Sequence, residues 1–164
     1  MTDTIDNTLA AMIRSMEKVV VPAVDQAHPL ATEQADLILE SLRLIREQLP
    51  DRQTKALREL DRYVLMAEDV AGLIGWSPDI GRQFDTALRD AHRLRELAHV
   101  EHCAVNDCVT ALAGLVSRAV REARTKEVAS RSDLERAVLS GSIPIVDDDV
   151  AWFAPQGWYS TPSA

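Results

Sequence analysis

The fold is decided by residues 78–127, PDIGRQFDTALRDAHRLRELAHVEHCAVNDCVTALAGLVSRAVREARTKE. Apolar residues recur there about every 3.5 residues, which is typical of an amphipathic helix; they are Phe84, Leu88, Ala91, Leu94, Ala98, Val105, Cys108, Leu112, Leu115, Ala119 and Ala123. Ser77 can cap this helix, and Pro78 and Asp79 suit its first turn. The stretch predicts one helix of about 75 Å at 1.5 Å per residue, roughly twice the length of the other helices.

Three shorter helices are predicted before this stretch, over residues 4–27, 30–49 and 52–74. Pro22 lacks a backbone N–H, so the first helix should kink there or restart as a short second piece. The helix over 30–49 has one apolar face, yet three further leucines lie off that face, namely Leu37, Leu39 and Leu44. Such a helix must be covered from more than one side, either by three neighbours or by a second subunit.

A short fifth helix is predicted over residues 133–140. It begins with the capping box Ser132-Asp133-Leu134-Glu135, and Gly141 follows its end. The chain after Ser142 has no helical period and contains residues that exclude a long helix, namely Pro144, Pro155, Gly157 and Pro162. We therefore expect a helical bundle domain over residues 1–142 and an extended aromatic arm over 143–164.

The predicted architecture is all-α: an up-down four-helix bundle with one over-long helix, a short fifth helix and an extended C-terminal arm. Helices of about 20 residues can cover only half of the long helix, and the other half still carries Leu112, Leu115, Val116 and Ala119. A second subunit, the fifth helix or the folded-back arm would have to cover it. A homodimer is the favoured assembly.

Composition and charge restrict the class of protein. The chain has 164 residues, of which 46% are apolar and 27% charged, as expected of a packed globular chain. A net charge of −8 disfavours nucleic acid and anionic membrane surfaces as partners. The N-terminus lacks a basic, then apolar leader, and no run approaches the ~20 apolar residues of a membrane span. Cys103 and Cys108 cannot bridge each other within one helix, so a cytoplasmic location is expected.

Polar residues interrupt the apolar seam of the long helix at Glu101 and His102. Glu96 and His99 have the i, i+3 spacing with which helices of carboxylate-bridged di-metal bundles bind an ion. One hypothesis is therefore a metal-dependent, ferritin-like bundle enzyme in which Glu96, His99, Glu101 and His102 bind iron, manganese or zinc. A second complete pair is missing, so a solvated or internally paired cluster without any cofactor is the alternative.

Four of the seven aromatic residues lie close to the C-terminus, namely Trp152, Phe153, Trp158 and Tyr159. Large aromatics in a polar tail are typical of interfaces, so they either pack on this chain or its dimer, or bind a separate protein. No phosphate loop, dinucleotide fingerprint or nucleophile elbow is present. The favoured function is a non-catalytic binding or accessory protein for a protein partner or a small apolar ligand.

Overall fold

A computed structural model of the chain describes residues 4–73, 76–97, 99–125 and 131–154. The described residues form an all-α structure, as predicted. The helices are α1 (Thr4–Ser15), a π-helical turn (Met16–Val20), α2 (Val21–Ala23), α3 (Pro29–Gln48), a 3-10 turn (Leu49–Asp51), α4 (Arg52–Ala71), α5 (Pro78–Arg95), α6 (His102–Thr125) and α7 (Arg131–Phe153).

The described chain divides into two compact units. The first contains residues 4–52 and residues 152–154, and the second contains Gln53–Ala151. We call the helices from α1 to α3 the N-terminal hairpin, and the helices from α4 to α7 the bundle. The two units are described separately below.

The N-terminal hairpin consists of two antiparallel helical arms. Pro22 offers no backbone N–H, and the π-helical turn directly before it accommodates this loss: Val21 N–H donates to Met16 O, five residues back. The predicted restart at Pro22 is thus the short α2. The helix ends at Ala23 rather than at the predicted residue 27, because Val24 takes extended backbone angles.

The bundle has a continuous apolar core to which all four of its helices contribute. Leu60, Val64, Phe84 and Leu112 are each at most 1% exposed, and α7 adds Leu134 at 2%. Burying such aliphatic and aromatic side chains is the dominant stabilising term in folding. The seam predicted for residues 78–127 is confirmed in large part, because seven of its members belong to this core, namely Phe84, Ala91, Val105, Leu112, Leu115, Ala119 and Ala123.

Contacts between neighbouring helices fix their directions. Lys55 Nζ lies 2.8 Å from Asp149 Oδ1, so the start of α4 meets the end of α7. Arg95 Nε lies 2.7 Å from Asp61 Oδ1, so the end of α5 meets the first half of α4. Arg118 donates to Gln83, which pairs the second half of α6 with the start of α5. The bundle is therefore up-down-up-down, as predicted. It is formed by α4–α7, however, and not by the first four predicted helices.

The over-long helix predicted for residues 78–127 is wrong. Its first part begins as predicted, with the Ser77 hydroxyl accepting a hydrogen bond of 3.4 Å from Ile80 N–H. The helix ends at Arg95, however, and α6 begins at His102. Gln53 Nε2 donates to Val100 O at 3.0 Å and so ties the connection between α5 and α6 to α4. Reversing the chain here lets α5 and α6 cover each other, which a single rod could not do.

The prediction of a short fifth helix followed by an extended arm is also wrong, because α7 runs to Phe153 and contains Pro144. A proline inside a helix removes one hydrogen bond and bends the helix, but contacts with α4 offset that loss here. Asp148 lies 3.4 Å from Arg62, and Ile145 packs against the core. Gly141 lies inside the helix, where its missing side chain makes room for Met66 of α4.

One helix, His102–Arg124, is long and apolar enough to cross a membrane by length and composition, with a mean hydropathy of 1.3. From the sequence, we expected no apolar run long enough to cross a membrane. A core helix of a soluble protein passes the same test, and α6 contributes six residues to the core of the bundle, namely Val105, Leu112, Leu115, Val116, Ala119 and Ala123. Of the 18-residue apolar window in this helix, 28% is buried inside the structure.

Candidate interaction surface

One side of the N-terminal hairpin is lined by exposed aliphatic side chains. On α1 they are Ile5 at 55% exposed and Met12 at 48%, which lie seven residues apart and therefore on one edge of the helix, and in the π-helical turn the residue is Val19 at 63%. On α3 the corresponding residues are Ile38 at 51% and Ile45 at 50%. We call these five residues the open side of the hairpin.

The α-helical period places four of these residues on the same side of the pair, namely Ile5, Met12, Ile38 and Ile45; Val19 lies in the π-helical turn, to which this period does not apply. At roughly 100° per residue, each aliphatic edge is rotated by about 40–80° from its helix's buried face, in the same sense on both helices. The reference residues are Leu9 on α1 and Ala35 on α3, the buried residues nearest to these edges; Leu44 is buried as well, on a different side of α3. When two helices run antiparallel, edges that are rotated in the same sense from the contact between the helices lie on the same side of the pair. Because Asp6 pairs with Arg46, Ile5 and Ile45 lie at the same end of the pair, and Met12 and Ile38 lie towards the middle of their arms.

Every charged residue that the structure describes in α1, the π-helical turn and α3 lies on the other side, which we call the charged side. These residues are Asp6, Arg14, Glu17, Lys18, Glu33, Asp36, Glu40, Arg43, Arg46 and Glu47. The remaining polar residues near the open side carry no charge, namely Thr8, Ser15, Gln34 and Ser41. A strip the width of two helices is thus free of charge.

Two ion pairs join the two arms of the hairpin along the charged side, one from α1 and one from the π-helical turn, each to α3. Arg46 Nε lies 2.8 Å from Asp6 Oδ1, and Arg46 Nη2 donates to Asp6 Oδ2 at 3.4 Å. Arg43 Nη2 lies 2.5 Å from Glu17 Oε1. The hydrogen bond from Arg46 lowers the pKa of the Asp6 carboxyl, and the charge of Arg46 lowers it further. The hairpin is therefore bridged by charges on one side and bordered by apolar groups on the other.

The bundle carries a narrower apolar stripe on the outer face of α7. Leu139, Ile143 and Val146 follow each other at steps of four and three residues and are 67%, 62% and 56% exposed. They lie opposite Leu134, which α7 contributes to the core. Because α7 is apolar on two faces, sequence periodicity there is weak. This stripe has the width of one helix only.

A groove of about 620 Å³ lies between α5 and α6. The apolar residues Ala87, Ala111 and Leu115 line it together with the two arginines Arg82 and Arg118. Cys108 also lines the groove, where burial raises the pKa of its thiol and the nearby Asp90 charge raises it further. A thiol with a raised pKa is a weak nucleophile at neutral pH. The groove therefore offers a surface for contact rather than a reactive centre.

The four predicted metal ligands lie in and beside the connection between α5 and α6. Glu96 follows the last residue of α5, and His99 and Glu101 lie in the connection, all three exposed. The i, i+3 argument for Glu96 and His99 required a continuous helix, which ends at Arg95. The half-buried His102 lies with its Nε2 3.3 Å from Asn106 Nδ2.

No group of three or more His, Cys, Asp or Glu side chains within the described ranges is arranged to hold a metal ion. The nearby His92 instead pairs with Glu68, its Nε2 lying 3.0 Å from Glu68 Oε1. A metal site at Glu96, His99, Glu101 and His102 stays a prediction that the geometry of the described residues does not favour.

Of the predicted interaction residues, Trp152 and Phe153 are half-buried at the end of α7, whereas Trp158 and Tyr159 lie outside the described residues. Gln48 Nε2 donates to Trp152 O at 2.6 Å, a contact within the first unit. The first two aromatics therefore belong to the same unit as the hairpin.

Sequence reasoning did not identify the open side, although the signal was present. The sequence analysis indicates a surplus of apolar residues only for 30–49, where Leu37, Leu39 and Leu44 lie off the apolar face. The position of the charges would have revealed the surface: plotted at 100° per residue, they occupy one half of each helix and leave the other half to Ile5, Met12, Val19, Ile38 and Ile45.

Comparison with known proteins adds no relative: no family model, no curated protein and no solved structure matches this chain. Function has to be argued from the surfaces themselves.

Proposed function

We propose that this protein is a non-catalytic binding or accessory protein that binds a helical protein partner along the open side of its N-terminal hairpin. The observation that carries this proposal is the charge-free strip around Ile5, Met12, Val19, Ile38 and Ile45, each of which is about half exposed or more. Apolar helix surfaces of this kind bind a partner helix through side chains spaced at i, i+3, i+4 and i+7.

A protein partner fits the strip better than a membrane surface does. Helices that lie on membranes carry Lys and Arg on their polar face, which attract anionic lipids. Residues 4–48 contain seven acidic and four basic residues, a net charge of −3, so the charged side would be repelled. Apolar contacts alone would have to hold the hairpin on a bilayer.

A cytoplasmic location is part of the proposal. Cys103 and Cys108 are both free thiols and lie five residues apart on α6, as expected for a protein of a reducing compartment. Neither the groove between α5 and α6 nor the cluster at Glu96 supports a reaction as directly as the open side supports binding.

The proposal is tested by photo-crosslinking in living cells that produce the protein. Benzoylphenylalanine placed at Met12, on the open side, should crosslink to another protein chain. The same residue placed at Arg14, two positions further and on the charged side, should not. Equal crosslinking at both positions, or none at Met12, would overturn the proposal.

A further inference from the structure

We propose that the partner of the open side is the open side of a second copy of this chain, so that two hairpins form an intermolecular four-helix bundle. This inference rests on the proposed function and names its partner. It is argued from the size of the strip, from the distribution of charge and from the spacing of the exposed residues.

The strip is large enough for a stable dimer. Each arm of the hairpin is about 20 residues long, hence about 30 Å at 1.5 Å per residue. With helix axes 8–10 Å apart, two helices present a face roughly 30 Å by 20 Å, about 600 Å². Two such faces would bury on the order of 1,200 Å², the lower end of the range for specific and stable interfaces. The single-helix stripe of α7 would bury much less.

The distribution of charge favours a copy of the same chain over a charged partner. Two molecules with a net charge of −8 repel each other at any surface where their charges face each other. On the open side no charged residue of α1, the π-helical turn or α3 faces outward, so two copies can meet there without that cost. A basic or acidic partner would gain no electrostatic complementarity at this strip.

The spacing of the exposed residues also fits a pair of hairpins. Ile5 and Met12 on α1 are seven residues apart, and so are Ile38 and Ile45 on α3, which is the repeat that keeps packed α-helices in contact along their length. In a dimer with two-fold symmetry the same patch lies on both subunits. Met12 and Ile38 occupy the middle of the strip and would therefore lie close to the two-fold axis.

The experiment uses the full chain and begins with sedimentation equilibrium over a range of concentrations. The mass should approach twice the 18.1 kDa of one chain as concentration rises. The double variant Met12→Glu, Ile38→Glu should sediment as a single chain, because four carboxylates would have to be buried in the interface. Arg14→Glu changes the net charge by the same two units on the charged side and should leave the dimer intact.

A second measurement keeps the test decisive if the double variant does not fold. Met12→Cys is introduced into a Cys103→Ser, Cys108→Ala background and oxidised. A covalent dimer should form, whereas Arg14→Cys in the same background should not give one. A dimer that survives the double variant, or that fails to crosslink at residue 12, would overturn the inference because another surface would hold it.

A wild-type chain that stays monomeric would also overturn the inference, and thiol labelling of Met12→Cys then decides about the proposed function. Rapid labelling would show that the open side is accessible and free for a different protein. Slow labelling in a monomer would show that the rest of the same chain covers the strip. In that case both the inference and the proposed function would be wrong.

Discussion

The bundle and the N-terminal hairpin are built from helices of similar length and apolar content, but they differ in the number of neighbours each helix has. In the bundle, four helices enclose Leu60, Phe84 and Leu112, which are completely buried. In the hairpin, the two arms leave part of their apolar surface uncovered, and Met12 and Ile38 stay about half exposed. A helix with two apolar edges needs a second neighbour, and the hairpin of a single chain does not supply one.

The bundle and the hairpin also differ in where their ion pairs lie. In the bundle, Lys55, Arg62 and Arg95 pair with carboxylates on neighbouring helices around a closed core. In the hairpin, the pairs Asp6–Arg46 and Glu17–Arg43 lie on one side only, opposite the exposed aliphatic residues. Surface ion pairs contribute little stability, so the hairpin depends on whatever covers its open side.

The largest effect is expected from removing the central aromatic side chain of the bundle. Phe84 is 0% exposed, so Phe84→Ala should lower the free energy of unfolding by about 3–5 kcal/mol through lost burial and a residual cavity. Urea unfolding followed by circular dichroism measures the change. Ile13→Ala, in the hairpin, should leave the midpoint of the bundle transition nearly unchanged. Equal shifts from the two variants would contradict the division of the chain into a bundle with a closed core and a hairpin with little buried surface.

Smaller effects are expected at two glycines that lie within bundle helices, and the two alanine substitutions should change stability in opposite directions. A Cβ at Gly141 would lie 2.7 Å from Met66 Cγ, so Gly141→Ala forces α7 away from α4. Overpacking of this kind costs about 1–3 kcal/mol and should outweigh the ~1 kcal/mol gain in helix propensity.

Gly114 on α6 is the matched control, because a Cβ there meets nothing within 4 Å. Gly114→Ala should therefore stabilise the bundle by about 0.5–1 kcal/mol. Thermal unfolding of the two variants measures both changes. If both substitutions stabilise the protein, then α4 and α7 do not approach each other as closely at Gly141 as the structure has them.

The two glycines also illustrate what the sequence could and could not predict. Periodicity and the Ser77 cap predicted the start of α5 and most of the core residues of α5 and α6, because both depend on local spacing. The same rules took Gly141 as a helix end and Pro144 as a helix breaker. Only the contacts of α7 with Met66 and Arg62 on α4 explain why the helix continues through both positions.

The break between α5 and α6 was missed for a related reason. No proline or glycine marks residues 96–101, and the apolar period resumes at Val105 after the interruption at Glu101 and His102, so no local helix breaker marks the end of α5. The chain reverses there because two helices that cover each other bury more apolar surface than one long rod. The interpretation of Glu96 and His99 as neighbours on one helix face required a continuous helix over residues 78–127. Because that helix ends at Arg95, the interpretation has no geometric basis.

The smallest effect is expected at the Asp6–Arg46 pair on the charged side of the hairpin. Arg46 donates two hydrogen bonds to Asp6 and lowers its pKa below the ordinary value of 3.8. A carboxyl whose pKa is lowered in the folded state stabilises that state above its ordinary pKa, and the stabilisation is lost as the pH falls through the lowered value. The hairpin should therefore loosen below about pH 4, in the range set by the Asp carboxyl.

An NMR titration of the Asp6 carboxyl measures this pKa directly. Arg46→Gln should raise it towards 3.8, and high salt should do the same in part, because the pair lies on the surface and is screened. Arg43→Gln removes the neighbouring pair with Glu17 and should leave the Asp6 titration unchanged. An Asp6 pKa at or above 3.8 in the wild-type chain would mean that α1 and α3 are not bridged on this side. The assignment of an open side and a charged side would then rest on the exposed aliphatic residues alone, without the ion pairs.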